Sequence, residues 1–138
     1  MEKDIIERAC EIVNENTGVT THCVLSLIDL DGCPTASTIT AAKADGITNI
    51  FFCTGFGTKT ERINKCNRAS VCFNSEEYNI TLKGTIEIAT APDIKAKMWY
   101  EGLKNHFSGA DDAGYCVLCF KTTHYNLLVD WKEARGAL

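Results

Sequence analysis

A chain of 138 residues, 45% of them hydrophobic and 23% charged, is long enough for one domain with its own core and too short for several. A net charge of −4 with no block of Lys or Arg argues against a nucleic-acid or anionic-membrane surface and leaves room only for a local basic pocket. No apolar run reaches spanning length, and Met1-Glu2-Lys3-Asp4 opens a charged amphipathic stretch rather than a signal core, so the reading is a cytoplasmic protein with one domain over residues 1–138.

Ile5, Ile6, Ala9, Ile12 and Val13 recur at helical spacing between Asp4 and Asn16, where Asn16-Thr17-Gly18 supplies a stop. The run from His22 to Asp29 is mostly apolar and closes on Asp29-Leu30-Asp31-Gly32, whose Asp-Gly pair predicts a tight turn and a hairpin. The return strand is Pro34 to Ala42, with Thr35, Ser37 and Ile39 on one face and Ala36, Thr38 and Thr40 on the other. A turn at Lys43-Ala44-Asp45-Gly46 leads into a third strand, Ile47 to Thr54.

Directly after that strand comes Thr54-Gly55-Phe56-Gly57-Thr58-Lys59, ahead of a short helix from Thr58 to Cys66. Two glycines let backbone approach an anion, a helix start offers free N–H groups and a positive dipole end, and Thr58 and Lys59 add a donor and a charge. The segment matches neither the full P-loop nor the dinucleotide pattern. A plain strand-to-helix turn, with Thr58 as N-cap and Glu61 completing a capping box, is the competing reading.

Ala69 to Phe73 reads as a fourth strand, and Tyr78 to Thr90 as a longer fifth. In the fifth, Ile80, Leu82, Gly84, Ile86 and Ile88 alternate with Thr81, Lys83, Thr85 and Glu87, and Gly84 marks a bend or bulge. Ala91-Pro92-Asp93 starts a helix whose Ile94, Met98, Trp99 and Leu103 form one stripe, ending at Phe107-Ser108-Gly109. Gly114 to Asp130 is the last strand, with an interruption near Lys121-Thr122-Thr123. The predicted class is mainly β: six antiparallel strands in a small, partly open barrel with three short helices.

Eight cysteines without a secretory signal suit a reducing compartment. Cys116 and Cys119 are formally a C-x-x-C, but on a strand residues three apart face opposite ways and cannot share a metal or a disulfide. His22, His106 and His124 share no metal-ligand spacing, so no metal site is expected.

The order of these elements resembles the pyridoxamine 5′-phosphate oxidase-like, FMN-binding split-barrel family, especially its general stress protein 26-like branch. The residues carrying the likeness run from Val19 to Trp131: Asp31-Gly32-Cys33-Pro34, Phe52-Cys53-Thr54, Gly57-Thr58-Lys59, Ala69-Ser70-Val71-Cys72-Phe73, Leu82-Lys83-Gly84-Thr85-Ile86, the helix with Trp99, and Tyr115. The resemblance implies a homodimer with FMN at the subunit interface. It assigns Thr58 and Lys59 to the phosphate, places Ser37, Thr38 and Ile39 beside the flavin ring and ribityl chain, and sets Thr54 near the ring. Arg62 or Arg68 would assist at the phosphate.

Trp131 is either a stacking residue supplied by the partner subunit or a cover for the barrel end. Two departures stand out. Ser37-Thr38-Ile39 replaces the Arg that clamps the phosphate in many relatives, and Cys66-Asn67 stands where they show Asn-Pro.

The implied function is that of an FMN flavoprotein, an oxidoreductase of flavin-reductase type acting on a small-molecule substrate or electron donor. Pyridoxamine-phosphate oxidation itself is disfavoured by the short chain and the lack of a basic constellation for a second phosphate. The alternative is an FMN-less split-barrel dimer that binds haem, another anionic ligand or a protein partner. Redox sensing through the cysteines is a third reading.

Overall fold

The computed structural model describes residues 2–138. Helix α1, Glu2–Glu15, buries the stripe Ile5, Ala9, Ile12 and Val13, each aliphatic side chain contributing about 1.5–3 kcal/mol for Ile or Val. It packs against β3, β7 and β8, defined below. The remaining regular elements are β1 Cys23–Ile28, β2 Pro34–Ile39, β3 Lys43–Asp45, β4 Asn49–Gly55, α2 Thr58–Lys65, β5 Arg68–Asn74, β6 Tyr78–Ala89, α3 Pro92–Met98, a 3-10 helix at Glu101–Asn105, β7 Tyr115–Val129 and β8 Lys132–Ala137. All pairings are antiparallel, in the order β2-β1-β5-β6-β7-β4-β3, with β8 also on β7. The sheet is open between β2 and β3, as expected of a split barrel.

The fold class agrees with the sequence reading, while the strand count is eight among the described residues rather than six. Lys43–Asp45, read as a turn, forms β3 against β4, and the turn sits one step later. Lys132–Ala137 forms β8 although Lys-Glu-Ala-Arg-Gly-Ala has no strand propensity, because the long β7 offers it an unpaired edge and tertiary pairing overrides local preference. The third helix also stops early. It ends at Met98, and Trp99 and Tyr100 are extended before the 3-10 turn. That break brings the Trp99 and Phe107 rings to 5.4 and 5.3 Å from Tyr115.

The split is organised on β7. One edge pairs with β6 from Val117 to Val129, while the other pairs with β4 from Tyr115 to Lys121 and with β8 from His124 to Val129. The changeover falls at a bulge, where Lys83 pairs with His124 but Gly84 pairs with Thr122, leaving Thr123 unmatched. Thr122, itself buried, donates its backbone N–H to the Thr48 carbonyl at 3.0 Å and its hydroxyl to the Ile47 carbonyl, so the β3–β4 turn is tied to the bulge. The Thr123 carbonyl accepts from Leu138 N–H at 2.9 Å, which ties down the end of β8.

The bulge requires glycine at 84, since a Cβ there would lie 1.9 Å from the Lys121 carbonyl oxygen. Gly84→Ala must push β6 away from β7, and we expect a loss of about 3 kcal/mol. Urea denaturation monitored by circular dichroism checks this; an unchanged midpoint would refute the requirement.

Candidate functional site

The end of β4 and the start of α2 form a strand-turn-helix unit. The N-cap of α2 is Gly57, not Thr58, and the reciprocal hydrogen bonds come from Thr60 rather than Glu61. The buried Thr60 hydroxyl accepts from Gly57 N–H and donates to the Gly57 carbonyl, both at 2.9 Å. Thr58 is thereby released from the capping role and lies exposed in the first turn. The first intrahelical bond runs from Glu61 N–H to the Gly57 carbonyl at 3.0 Å, and among the described residues no acceptor faces the amides of Thr58, Lys59 and Thr60. Nothing lies within 4 Å of the place a Cβ would take on Gly57, so the approach to those amides is open.

The basic residues around α2 divide their work. Arg62 Nε pairs with Asp29 at 3.0 Å, and that guanidinium, with Leu30 N–H, holds the Asp29 carboxyl below its usual range. Lys65 donates to the Leu30 carbonyl. Both anchor α2 to the β1–β2 turn. Arg68 stands past the other end of α2 and lines a different hollow, so neither arginine assists at the helix start. Lys59 has no carboxylate partner among the described residues.

Beside this unit is a cleft of about 400 Å³. Ile39 and Thr40 form one side, Cys53, Thr54 and Gly55 the floor, and Tyr100, His106 and Phe107 the far wall. Behind that wall, Met98, Leu103, Tyr115 and Val117 form a small second core with Trp99, Tyr100 and Phe107 packed on it. No buried side-chain nitrogen or oxygen among the described residues lacks a partner. The Cys53 thiol lies 3.3 Å from the Met98 carbonyl and 3.4 Å from the Tyr115 hydroxyl, which donates to the Lys95 carbonyl at 2.9 Å. Buried Lys95 donates to the Asp112 carbonyl at 2.8 Å and sits 5.3 Å from the centre of the Tyr115 ring.

Of the residues singled out in the sequence, Ile39 and Thr54 meet in this cleft, and Thr58 and Lys59 lie one short turn beyond Thr54. Ser37 and Thr38 precede Ile39 on β2 and are exposed, with their side chains on opposite faces of that edge strand. Trp131 stands apart, in the two-residue turn after the far end of the 15-residue β7. It does not cover the barrel, because it is 82% exposed. Its φ of +64° and that of Asp130, +51°, are left-handed, a conformation that costs a bulky residue energy.

Sequence reasoning missed the wall of Tyr100, His106 and Phe107. The helical stripe read there, Ile94, Met98, Trp99 and Leu103, holds none of the three, because a stripe reports burial rather than which neighbour a broken helix will face.

The cysteines are all free. Cys116 joins the main core while Cys119 packs on the second, on opposite faces of β7, as the strand period requires. Burial pushes the thiols of Cys53 and Cys119 up, that of Cys116 to about 11 and that of Cys23 to about 12. These four are protonated and unreactive at neutral pH. No cluster of three metal-ligating side chains occurs among the described residues, and no helix among them is long and apolar enough to cross a membrane.

Residues 19–128 match the family model described as pyridoxamine 5′-phosphate oxidase. No curated protein matches the chain. Among solved structures, a Clostridium acetobutylicum protein related to general stress protein 26 of the pyridoxinephosphate oxidase family is 25% identical, with a TM-score of 0.82 over 100% of this chain and 96% of its own. A haem-binding protein from Mycobacterium smegmatis is 17% identical, with a TM-score of 0.74 over 96% of this chain and 57% of its own. A pyridoxamine 5′-phosphate oxidase-related, FMN-binding protein from Nostoc punctiforme is 13% identical, with a TM-score of 0.68 over 99% and 94%.

The cleft wall is held by one carboxylate. Asp112 accepts from Ser108 N–H at 2.9 Å, the Ser108 hydroxyl at 3.1 Å and Gly114 N–H at 2.8 Å, and the two amides hold its carboxyl below the usual carboxylate range. A depressed acid stabilises the folded loop above its unfolded pKa and loses that contribution as pH falls through the folded value. We expect Asp112→Ala at pH 7, or acidification of the parent protein through the depressed titration of this carboxyl, to lower the protection of amides over residues 106–114, relative to their intrinsic exchange at the same pH, while β6 and β7 stay protected. Hydrogen-exchange mass spectrometry checks this, and uniform protection of that loop would refute it.

Proposed function

The chain belongs to the pyridoxamine 5′-phosphate oxidase family, and from that membership we propose that it is an FMN-binding oxidoreductase that works as a homodimer on a small-molecule substrate. The observation that supports this best is the start of α2, where three unpartnered amides, an exposed Thr58 hydroxyl and an unpaired Lys59 converge beside a cleft of about 400 Å³. A flavin phosphate fits those donors, because it carries the charge and the acceptor oxygens they lack. Bound FMN would supply two-electron chemistry, a hydride taken from a reduced donor and electrons passed on to a small molecule.

This chain's own residues would bind and orient. Thr58 and Lys59 hold the phosphate, Ser37 and Ile39 present side chains and Thr38 its backbone beside the ring and ribityl chain, and Thr54 and Phe107 shape the floor and wall that keep water out. Ser37 stands where many relatives carry a phosphate-clamping Arg, so Lys59 carries the phosphate's charge balance alone. Trp131 lies too far along β7 to serve the cleft of its own chain. Its exposure and costly backbone suit a contact made on a second copy.

A second reading keeps the dimer but replaces FMN with haem, another anionic ligand or a protein partner. The missing Arg at Ser37 favours it, as does the fold shared with a haem-binding protein.

The visible spectrum of freshly purified protein separates the two, with flavin bands expected on the first reading and a Soret band on the second. In an FMN titration at micromolar protein, we expect saturable binding that Lys59→Ala weakens by about 1.5–3 kcal/mol, roughly ten- to a hundredfold. No binding by the parent protein, or equal binding by the variant, would overturn the assignment.

A further inference from the structure

Helix α3 is short and mostly polar, and it packs on β7 and β4 with two buried residues, Lys95 and Met98. One of the two is a cation. Its Nζ donates to the Asp112 carbonyl at 2.8 Å and lies 5.3 Å from the centre of the Tyr115 ring, while the Lys95 carbonyl accepts from the Tyr115 hydroxyl at 2.9 Å. Among the described residues no carboxylate pairs with it. Burying an ammonium without a counter-charge is costly, and a methionine of similar length would fill the same space without that desolvation. The Asp112 carbonyl does not depend on the lysine either, since it also accepts from Tyr115 N–H at 3.1 Å. Stability of the fold gives little reason for a lysine at this position.

The residue that Lys95 grips is the one that closes the cleft wall. Asp112 is held by α3 at its backbone, and with its carboxylate it holds Ser108 and Gly114. The far end of that loop meets the strand-turn-helix unit, where the Gly114 carbonyl accepts from Phe56 N–H at 3.3 Å. Gly55 adds a second contact. The place of a Cβ on Gly55 lies 3.4 Å from both the Gly114 carbonyl oxygen and the edge of the Phe107 ring, and that ring packs on Tyr115 at 5.3 Å. Gly55 belongs to the cleft floor, and Phe56 and Gly57 lead directly into the open amides of α2. The wall of the cleft and the turn carrying the amides are therefore fastened to each other at Gly114 and to α3 at Lys95.

We propose that Lys95 is a positioning residue that couples the two halves of the site, so that an anion at the start of α2 and a flat ring in the cleft bind cooperatively. The inference rests on the flavin reading above. Lys95 lines neither half and acts through Asp112 and Gly114. With the loop pinned to α3, an anion that steadies Gly57 and Thr58 also steadies Phe56, Gly114 and the Phe107 wall, and the ordering done by one ligand is not demanded of the other. A single molecule carrying both ring and phosphate gains from both contacts and from the link between them. The site then prefers a phosphorylated ring over the bare ring by more than the phosphate contacts alone supply. Without the ammonium, Asp112 keeps its bonds to Ser108 and Gly114, but the loop is released from α3 and the halves respond separately.

Titration of the full chain with riboflavin, inorganic phosphate and FMN, read by flavin fluorescence and calorimetry, tests this. We expect saturating phosphate to tighten riboflavin about fivefold in the parent protein, and riboflavin to tighten phosphate by the same factor. In Lys95→Met the factor should vanish and FMN should bind about fivefold more weakly, while phosphate alone binds as before and the thermal midpoint is unchanged or raised. Asp112→Ala cuts the same link from the loop side, so it should also remove the factor, and the double variant should bind FMN no more weakly than the weaker single variant. If the parent protein binds FMN but phosphate does not tighten riboflavin, the coupling is refuted and the flavin reading survives. A Lys95→Met protein that keeps the factor, or one that loses its fold, would show the lysine to be structural and overturn the proposal. A parent protein that does not bind FMN overturns the flavin reading and this inference with it.

Discussion

The close approach of the Gly84 and Lys121 backbones is the constraint on which the other features depend. Only a residue without a Cβ lets β6 lie against β7 where Thr123 is squeezed out of register. That extra residue is where β7 exchanges β4 for β8 along one edge. β4 begins at that exchange, with Asn49 opposite Lys121, and runs away from it to Gly55 opposite Tyr115, where the chain turns into α2. The same bulge brings Thr123 and His124 to the outer face beside Lys83.

Charge is distributed around α2 with a similar division of roles. Arg62 and Lys65, in its last turn, bind the β1–β2 turn through Asp29 and Leu30, which also complements the negative end of the helix dipole. Lys59, in the first turn, is left unpaired beside open amides. A cation at a helix start is disfavoured by the dipole, so its placement there makes sense where an anion is to be held. The second core of Tyr115, Trp99 and Phe107 backs this arrangement with a wall whose buried Lys95 and Tyr115 hydroxyl both end on backbone carbonyls.

Much of this was legible in advance because periodicity reports burial directly. The alternation of Ile80, Leu82 and Ile86 marked a half-buried strand, and the isolated Gly84 within it marked the bulge. The failures share one cause. Lys132–Ala137 became a strand because β7 had an edge to offer, and Trp99 and Tyr100 broke a helix because Tyr115 had a ring to pack against. Thr60 displaced Thr58 and Glu61 as the capping partner because the cap moved back to Gly57. Each is a contact between segments distant in sequence or a one-residue choice of boundary, and local propensity carries neither.

For the candidate site, the turn from Thr54 to Lys59 could be picked out from residue types alone, since glycine, hydroxyl and lysine after a strand are a local pattern with a local physical meaning. The sequence by itself therefore determined the fold class, the family likeness and the glycine-hydroxyl-lysine turn at the start of α2. Only the tertiary structure decided which basic residues remain unpaired, that Arg68 belongs to the outer face rather than to α2, that His106 and Phe107 wall the cleft, and that Trp131 stands alone at the far end of β7. The reason is that pairing, burial and convergence depend on distances between strands. Arg68, Lys83, His124 and Arg135 are dispersed along the chain and become neighbours only through the register of β5, β6, β7 and β8.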